Sequence, residues 1–306
     1  MSDEIGVIGA QSSVRRWVMD DVTFTYVVDG AMSLVPSAFL PAIPAAYWHG
    51  HPDELDAHDT VAMSTGGLLV QRDDECVLID AGFGPVNTNS PFGRVDCGAL
   101  LTSLESVGVA AADVDVVALT HLHVDHTGWL FTPTADGGYA PTFPNAVYVV
   151  AESEWAPYAD GQTPAGMPDR RAVIEPLSHH PRLTLVGDAQ EIASAITTLI
   201  TPGHSSGHTS YVVASESGRR LIAFGDAFHV PAQLRNPEWG SGPDADPTAV
   251  PGARRRIIAE LLDADTCGFA IHFGDQAFGQ VLTSDDGTLR WQPTPTKRLA
   301  PPPRTA

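Results

Sequence analysis

Short apolar runs separated by Gly, Pro and Asp turns dominate the chain, and their length and β-branched content predict strands. These fall at 22–28, 67–71, 75–79, 114–119, 146–150, 196–200, 211–213, 221–224, 268–272 and 288–291. Helical periodicity is clearest over 99–107, where Leu100, Leu101 and Leu104 share a face. It returns over 254–264 with Ile257, Ile258, Leu261 and Leu262. A shorter helix is predicted from Ala151, with Glu152 and Glu154 in its first turn, where the helix dipole favours acids. Strands come first as a meander and then singly between helices, an order that suits packed sheets covered by helices. Residues 31–63 are Pro-rich, bear aromatics and lack a regular period. They read as a long ordered loop of the kind that forms an active-site lid. Both ends, 1–13 and 293–306, read as loose, which leaves 14–292 as one domain.

Of 306 residues, 43% are hydrophobic, enough for a large buried core. The 37 acidic and 17 basic side chains give a formal charge of −20. That body repels polyanions, which argues against nucleic acid and anionic membrane surfaces as partners and leaves a small molecule. The cysteines, Cys76, Cys97 and Cys267, are far apart and form no CxxC pair, so neither a thiolate zinc cage nor a disulfide framework is encoded. Residues 1–13 lack the basic and apolar regions of a signal peptide, and no apolar run approaches the ~18 residues of a membrane span. The expected location is cytoplasmic.

The chemistry concentrates after the strand 114–119, in Thr120-His121-Leu122-His123-Val124-Asp125-His126-Thr127-Gly128. On extended backbone His121 and His123 project to one face, and the following turn can bring Asp125 and His126 to a second position. Neutral imidazoles and a carboxylate suit a borderline cation such as Zn²⁺. Three further ligand types stand at the polar ends of apolar runs: His204 after 196–200, Asp226 after 221–224, and His272 closing 268–272. A rigid sheet that presents ligands at its rim can hold a precise geometry.

The motif His121-x-His123-x-Asp125-His126, followed by His204, Asp226 and His272, resembles that of the metallo-β-lactamase superfamily of metallohydrolases. The spacing is most similar to the branch of N-acyl-homoserine lactonases and methyl parathion hydrolase, over about residues 66–278. The resemblance implies an α/β (α+β) fold, a four-layer αββα sandwich with metals at one edge. It also implies two divalent ions, Zn²⁺ by default, with Mn²⁺, Fe²⁺ or Co²⁺ as alternatives. His121, His123 and His204 would hold the first; Asp125, His126 and His272 the second; Asp226 would bridge them together with a water or hydroxide. A homodimer is expected on the same ground.

Under this resemblance a bridging hydroxide attacks a lactone or carboxylic ester of a small, partly apolar substrate. Asp125 relays the proton to the leaving group. His229 occupies the position where lactonase relatives carry a tyrosine that contacts the substrate carbonyl, and an imidazole there can donate a hydrogen bond. Asp80 either orients a ligand imidazole or is simply an acidic turn. His208 reads as a structural hydrogen-bonder, and Gly203 and Gly207 as the turn that presents His204. Trp48, Trp129 and Phe228 are candidates for an apolar pocket, with Trp129 equally suited to the core. His49, His51 and His58 read as solvated lid residues rather than a third metal site. Alternatives are an organophosphate triesterase, a glyoxalase-II-like thioesterase and, outside catalysis, a metal-dependent binding protein.

Overall fold

Two mixed β-sheets pack face to face in the computed structural model, which describes residues 3–300. Among the described residues ten strands form the first sheet. Its main path runs Leu183–Val186, Val147–Ala151, Val116–Ala118, Glu75–Ile79, Val61–Arg72, Val22–Leu34, Val14–Met19 and Lys297–Ala300. A hairpin, Val86–Ser90 and Gly93–Cys97, extends from Val22–Leu34. The second sheet orders Glu191–Ala193, Ile196–Ile200, Thr209–Ala214, Arg220–Ala223, Thr266–Phe269, Phe278–Thr283 and Leu289–Pro293.

Alternation of side chains gives each sheet an apolar inner face, and burial of those faces against each other drives the assembly. Phe24, Tyr26, Leu68, Val70 and Val77 meet Tyr211, Val213, Leu221, Phe269 and Phe278 between the sheets. The helices Leu100–Ser106 and Glu152–Ala159 cover the outside of the first sheet through Leu100, Leu104, Trp155 and Tyr158. Helix Val250–Leu261 covers the second through Ile257, Ile258 and Leu261. The result is the four-layer αββα sandwich.

Strand direction creates one functional edge. Glu75–Ile79, Val116–Ala118 and Val147–Ala151 are parallel, so Asp80, His121 and Glu154 all leave the first sheet at the same end. In the second sheet Arg220–Ala223 and Thr266–Phe269 are parallel and deliver Asp226 and His272 together. Ile196–Ile200, two antiparallel steps away from Arg220–Ala223, runs in that direction too and brings His204. Loops beyond the carboxyl ends of parallel strands are where open α/β sheets bind ligands.

Two expectations need correction. The segment 31–63 is shorter as a loop than its composition suggests. After a bulge between Val28 and Gly30, strand Val22–Leu34 runs on, pairing with both Val61–Arg72 and Gly93–Cys97. Between the paired strands lie short helices, Pro36–Phe39 and Ala45–Gly50, wrapped round Phe39, Leu40, Ile43, Trp48 and Met63. The flanks expected to be loose are docked within the described range. Val14–Met19 pairs with Lys297–Ala300, Glu4 bridges Thr296, and Ser12 and Ser13 are buried. A backbone ladder needs no apolar side chains, which is why composition hid it. Residues 1–2 and 301–306 lie outside the described residues. Among those described, no helix is long and apolar enough to cross a membrane.

Candidate metal centre

Strand Val116–Ala118 ends three residues before His121, so His121 and His123 sit on loop backbone rather than on the ladder. One helical turn, Val124–Thr127, begins directly after His123 and swings Asp125 and His126 to the other side of Asp226. The Asp226 carboxylate stands at the centre. Its Oδ2 lies 3.3 Å from His204 Nε2 and 3.9 Å from His121 Nε2. Its Oδ1 lies 3.1 Å from His126 Nε2 and 3.0 Å from His272 Nε2. His123 Nδ1 approaches His204 Nε2 to 3.0 Å, and Asp125 Oδ2 lies 3.7 Å from His272 Nε2.

These atoms form two adjacent groups that share Asp226. His121, His123, His204 and Asp226 make one; Asp125, His126, His272 and Asp226 make the other, and within each the ligand atoms lie within 4.8 Å of one another. All seven expected ligands therefore converge. The groups fit cations on chemical grounds. His121 Nε2, His126 Nε2, His272 Nε2 and Asp226 Oδ1 are buried and have no hydrogen-bond partner. Each such orphan costs about 1–3 kcal/mol in a protein interior, a cost that a bound cation removes.

On His121, His126, His204 and His272 the opposite ring nitrogen is occupied, which fixes the tautomer. His126 Nδ1 is 2.9 Å from Asp80 Oδ2, His204 Nδ1 is 2.9 Å from Asp244 Oδ1, and His272 Nδ1 is 2.9 Å from the Ser64 carbonyl. His121 Nδ1 lies 3.0 Å from Thr120 Oγ1, whose hydroxyl donates in turn to Asp80. Asp80 adopts the left-handed conformation, φ 65°, that Asp tolerates better than most residues. That kink turns its carboxylate back towards Thr120 and His126. Of its two readings, the imidazole-orienting one matches its place.

Charge follows the same division. Burial drives His121 well below the ordinary imidazole range and His123 down to about 3, so both are neutral ligands. Burial also acts on His126 and His272, yet the Asp226 carboxylate outweighs it and raises both. Asp226 itself is held well below the usual carboxylate range, the nearby imidazoles overcoming its burial. Asp125 is held down to about 2, since His126 at its side more than offsets desolvation.

The remaining candidates divide. His208 is buried, bonds Thr201 Oγ1 through Nδ1, and accepts the Asp226 backbone N–H on Nε2 at 3.0 Å, so it braces the turn that carries Asp226. His229 is also buried, with Nε2 3.2 Å from Asp226 Oδ2 and its ring edge-on to Phe39 at 5.2 Å. Phe228 points the other way, into the outer core with Phe224, Leu234 and Ile257, beneath the Arg254 guanidinium. Successive side chains on the extended Phe228 backbone alternate, which removes it from the pocket. Trp129 packs at the margin of the helix-covered core and donates its indole N–H to Asp29 at 2.7 Å. Trp48 is buried beneath the 35–60 segment and borders a cavity of about 710 Å³ that no metal-centre residue lines. His51 stacks on Tyr47 at 4.0 Å, and among the described residues His49, His51 and His58 belong to no metal-ligating group.

Two supports escaped the sequence reading. Asp244, in an aperiodic loop, gave no signal. Glu154 was visible only as an acid in a helix's first turn, yet it is buried and bonds Leu122, Ser205 and Gly207. A second cavity, about 310 Å³, opens at His123 and is bordered by Glu154, Tyr158, Gln162, Thr163, Ser205 and Ala245.

Comparison with known proteins agrees with this architecture. Residues 67–269 match the model of the metallo-beta-lactamase superfamily. The mouse (Mus musculus) metallo-beta-lactamase domain-containing protein 1 is 29% identical over 202 residues, 64% of this chain and 64% of that protein. N-acyl homoserine lactonase AttM of Azorhizobium caulinodans is 31% identical over 146 residues, 45% of this chain and 50% of the lactonase. The chain thus spans between half and just under two thirds of the length of these curated relatives. Among solved structures, the hydrolase AbOPH of the beta lactamase superfamily superposes with a TM-score of 0.76 at 26% identity, covering 94% of this chain and 99% of its own. The dizinc quorum-quenching lactonase AidC gives 0.75 at 23%, covering 92% and 98%, and shares the fold. With its ligands gathered at the edge of such a sandwich and two thirds of its length matched, this chain belongs to the metallo-β-lactamase superfamily and carries two adjacent His/Asp metal sites.

Proposed function

We propose that the protein is a dinuclear hydrolase, with zinc as the default metal, that opens a lactone or carboxylic ester of a small, neutral, partly apolar substrate. The observation that carries this reading is the pair of ligand groups sharing Asp226, with unpartnered nitrogens facing inward. When bound, two such cations supply a water acidic enough to ionise near neutral pH and a Lewis-acid hold on the acceptor oxygen.

The chain's own residues supply the rest. Asp125 is the ligand carboxylate with the greatest exposure, 13% of its side chain, and it stays ionised. It accepts a proton from the attacking water and returns it to the leaving oxygen. His229 stands at the position of the tyrosine of lactonase relatives, and its Nε2–H would move from Asp226 Oδ2 to the acyl oxygen as substrate binds. Phe39 closes over His229 and limits water at that side.

Substrate charge follows from the cavity at His123. Its lining contains Glu154 and no Lys or Arg, and the whole body carries −20. A polyanionic thioester finds no counter-charge there, whereas a neutral lactone or ester needs none. The likeness to AttM and AidC, themselves described as lactonases, supports the same choice.

The test is elemental analysis of the purified protein followed by one panel of N-acyl homoserine lactones, aryl esters, thioesters and phosphotriesters, ranked by kcat/KM. Lactones or esters should lead. Phosphotriesters or thioesters in front would replace the substrate assignment, and two bound metals with no turnover on any of them would make the protein a metal-dependent binder.

A further inference from the structure

The two ligand loops of the first cation site are stapled together by a carboxylate that is not itself a ligand. Glu154 is 1% exposed. Its Oε1 accepts the backbone N–H of Leu122 at 2.9 Å, the residue between His121 and His123. Its Oε2 accepts the Ser205 hydroxyl at 2.6 Å and the Gly207 N–H at 2.9 Å, on the segment that begins with His204. One turn further along the same helix, the Tyr158 hydroxyl donates to the Leu122 carbonyl at 3.2 Å. Helix Glu152–Ala159 therefore grips Leu122 at both its N–H and its C=O. The fit is close: a Cβ at Gly207 would lie 2.0 Å from the Glu154 nitrogen.

The second site receives none of this. His126 is held by Asp80 and His272 by the Ser64 carbonyl, both on the sheet side. All three donors that converge on Glu154 point at oxygen, and only a carboxylate offers an acceptor on both arms. A carboxamide must set its NH₂ against one of them. One anionic side chain thus ties Leu122, between His121 and His123, to the Ser205–Gly207 segment that follows His204.

We propose that Glu154 is a positioning residue that sets the affinity of the first cation site, independently of the second. The proposal rests on the dinuclear reading above. Imidazoles held at the correct separation bind an ion without reorganising; once the staple is cut, ordering two loops is charged against each binding event.

The experiment loads full-length protein with Zn²⁺ or Co²⁺ and titrates with a graded chelator. Metal equivalents and the Co²⁺ absorption spectrum are recorded for the unmodified protein, Glu154→Gln, and the reference variants His204→Ala and His126→Ala. Glu154→Gln should weaken one equivalent by about 10–100-fold, leave the other unchanged, and give the Co²⁺ spectrum of His204→Ala rather than that of His126→Ala. Ser205→Ala and Tyr158→Phe, each lacking one hydrogen bond of the grip, should shift the same equivalent by less, and they carry the test if Glu154→Gln does not fold. Glu152→Gln, on the exposed side of the same helix, should change nothing. Equal weakening of both equivalents, or no weakening in any of the three variants, overturns the proposal. Fewer than two equivalents on the unmodified protein would instead overturn the dinuclear reading.

Discussion

The halves of the metal centre share the Asp226 carboxylate, and both touch Asp80, but their main anchors differ. The Asp125–His126–His272 half is fastened to the sheet: Asp80 follows strand Glu75–Ile79 directly, and the Ser64 carbonyl belongs to strand Val61–Arg72. The His121–His123–His204 half is fastened mainly to helix and loop, by Glu154 and by Asp244, with Asp80 reaching His121 only through Thr120. Strand backbone is fixed by ladders that form whether or not an ion is present. Loop backbone is fixed only by the side chains that reach it. The sheet-anchored half is therefore the stiffer one, and the loop-anchored half is where substitutions will separate the two ions.

The largest break comes at the shared residue. Asp226→Ala removes an oxygen from each half and leaves five ligand imidazoles crowded together with Asp125 as the remaining carboxylate ligand, so both metal equivalents and hydrolysis should fall to background. Retention of one tight equivalent would show that the halves do not depend on Asp226 equally. Next come the orienting carboxylates. Asp80→Asn and Asp244→Asn should each weaken metal binding by about 10–100-fold, as loss of such partners generally does. Asp80→Asn should act most on the half containing His126, which Asp80 bonds directly, and less on His121, which it reaches through Thr120, whereas Asp244→Asn should act on the half containing His204, read by chelator titration. The same equivalent lost in both variants would erase the distinction.

A pH series sharpens it further. Asp226 raises the proton affinity of His126 and His272, while burial leaves His121 and His123 neutral. Metal entering the sheet-anchored half must displace protons, so uptake there strengthens as pH rises through the raised imidazole values. In the metal-free fold those same charged imidazoles stabilise at low pH, and that contribution is lost as pH rises through their folded values. Calorimetry in buffers of different ionisation heat should give different apparent enthalpies for the sheet-anchored half; a buffer-independent enthalpy refutes the assignment. The smallest effect concerns the roof. Phe39→Ala forfeits an edge-on aromatic contact with His229 worth about 0.5–1.5 kcal/mol, so KM should rise roughly 2–10-fold with little change in metal content. An unchanged KM would detach Phe39 from the site.

What could be read in advance follows from where information is local. Each metal ligand terminates or follows an apolar run, and the periodic helix over 254–264 appears as Val250–Leu261. Local pattern also places Glu75–Ile79 and Ile196–Ile200 to the residue. Strand Val14–Met19 escaped because Arg15 and Arg16 interrupt its apolar pattern; only the fold shows Arg15 buried against Asp275 and Glu4. The hairpin Val86–Ser90 and Gly93–Cys97 escaped because Asn, Thr, Ser and Asp fill it, and its pairing with Val22–Leu34 is decided far away in sequence. Asp244 and Glu154 escaped for the same reason, since a carboxylate is marked as a support only by the donors that meet it. Phe228 was misplaced by the opposite error: nearness to Asp226 along the chain says nothing about which side of the backbone a ring leaves.

The locked imidazole tautomers have one more consequence. A cradle whose nitrogens and oxygens are already aimed pays little to bind, and imidazole with carboxylate is a donor set that several first-row divalent ions accept, so availability decides among them. Occupancy then reflects abundance at the moment of synthesis. Batches grown on manganese-, cobalt- or zinc-enriched medium should emerge carrying whichever ion was plentiful.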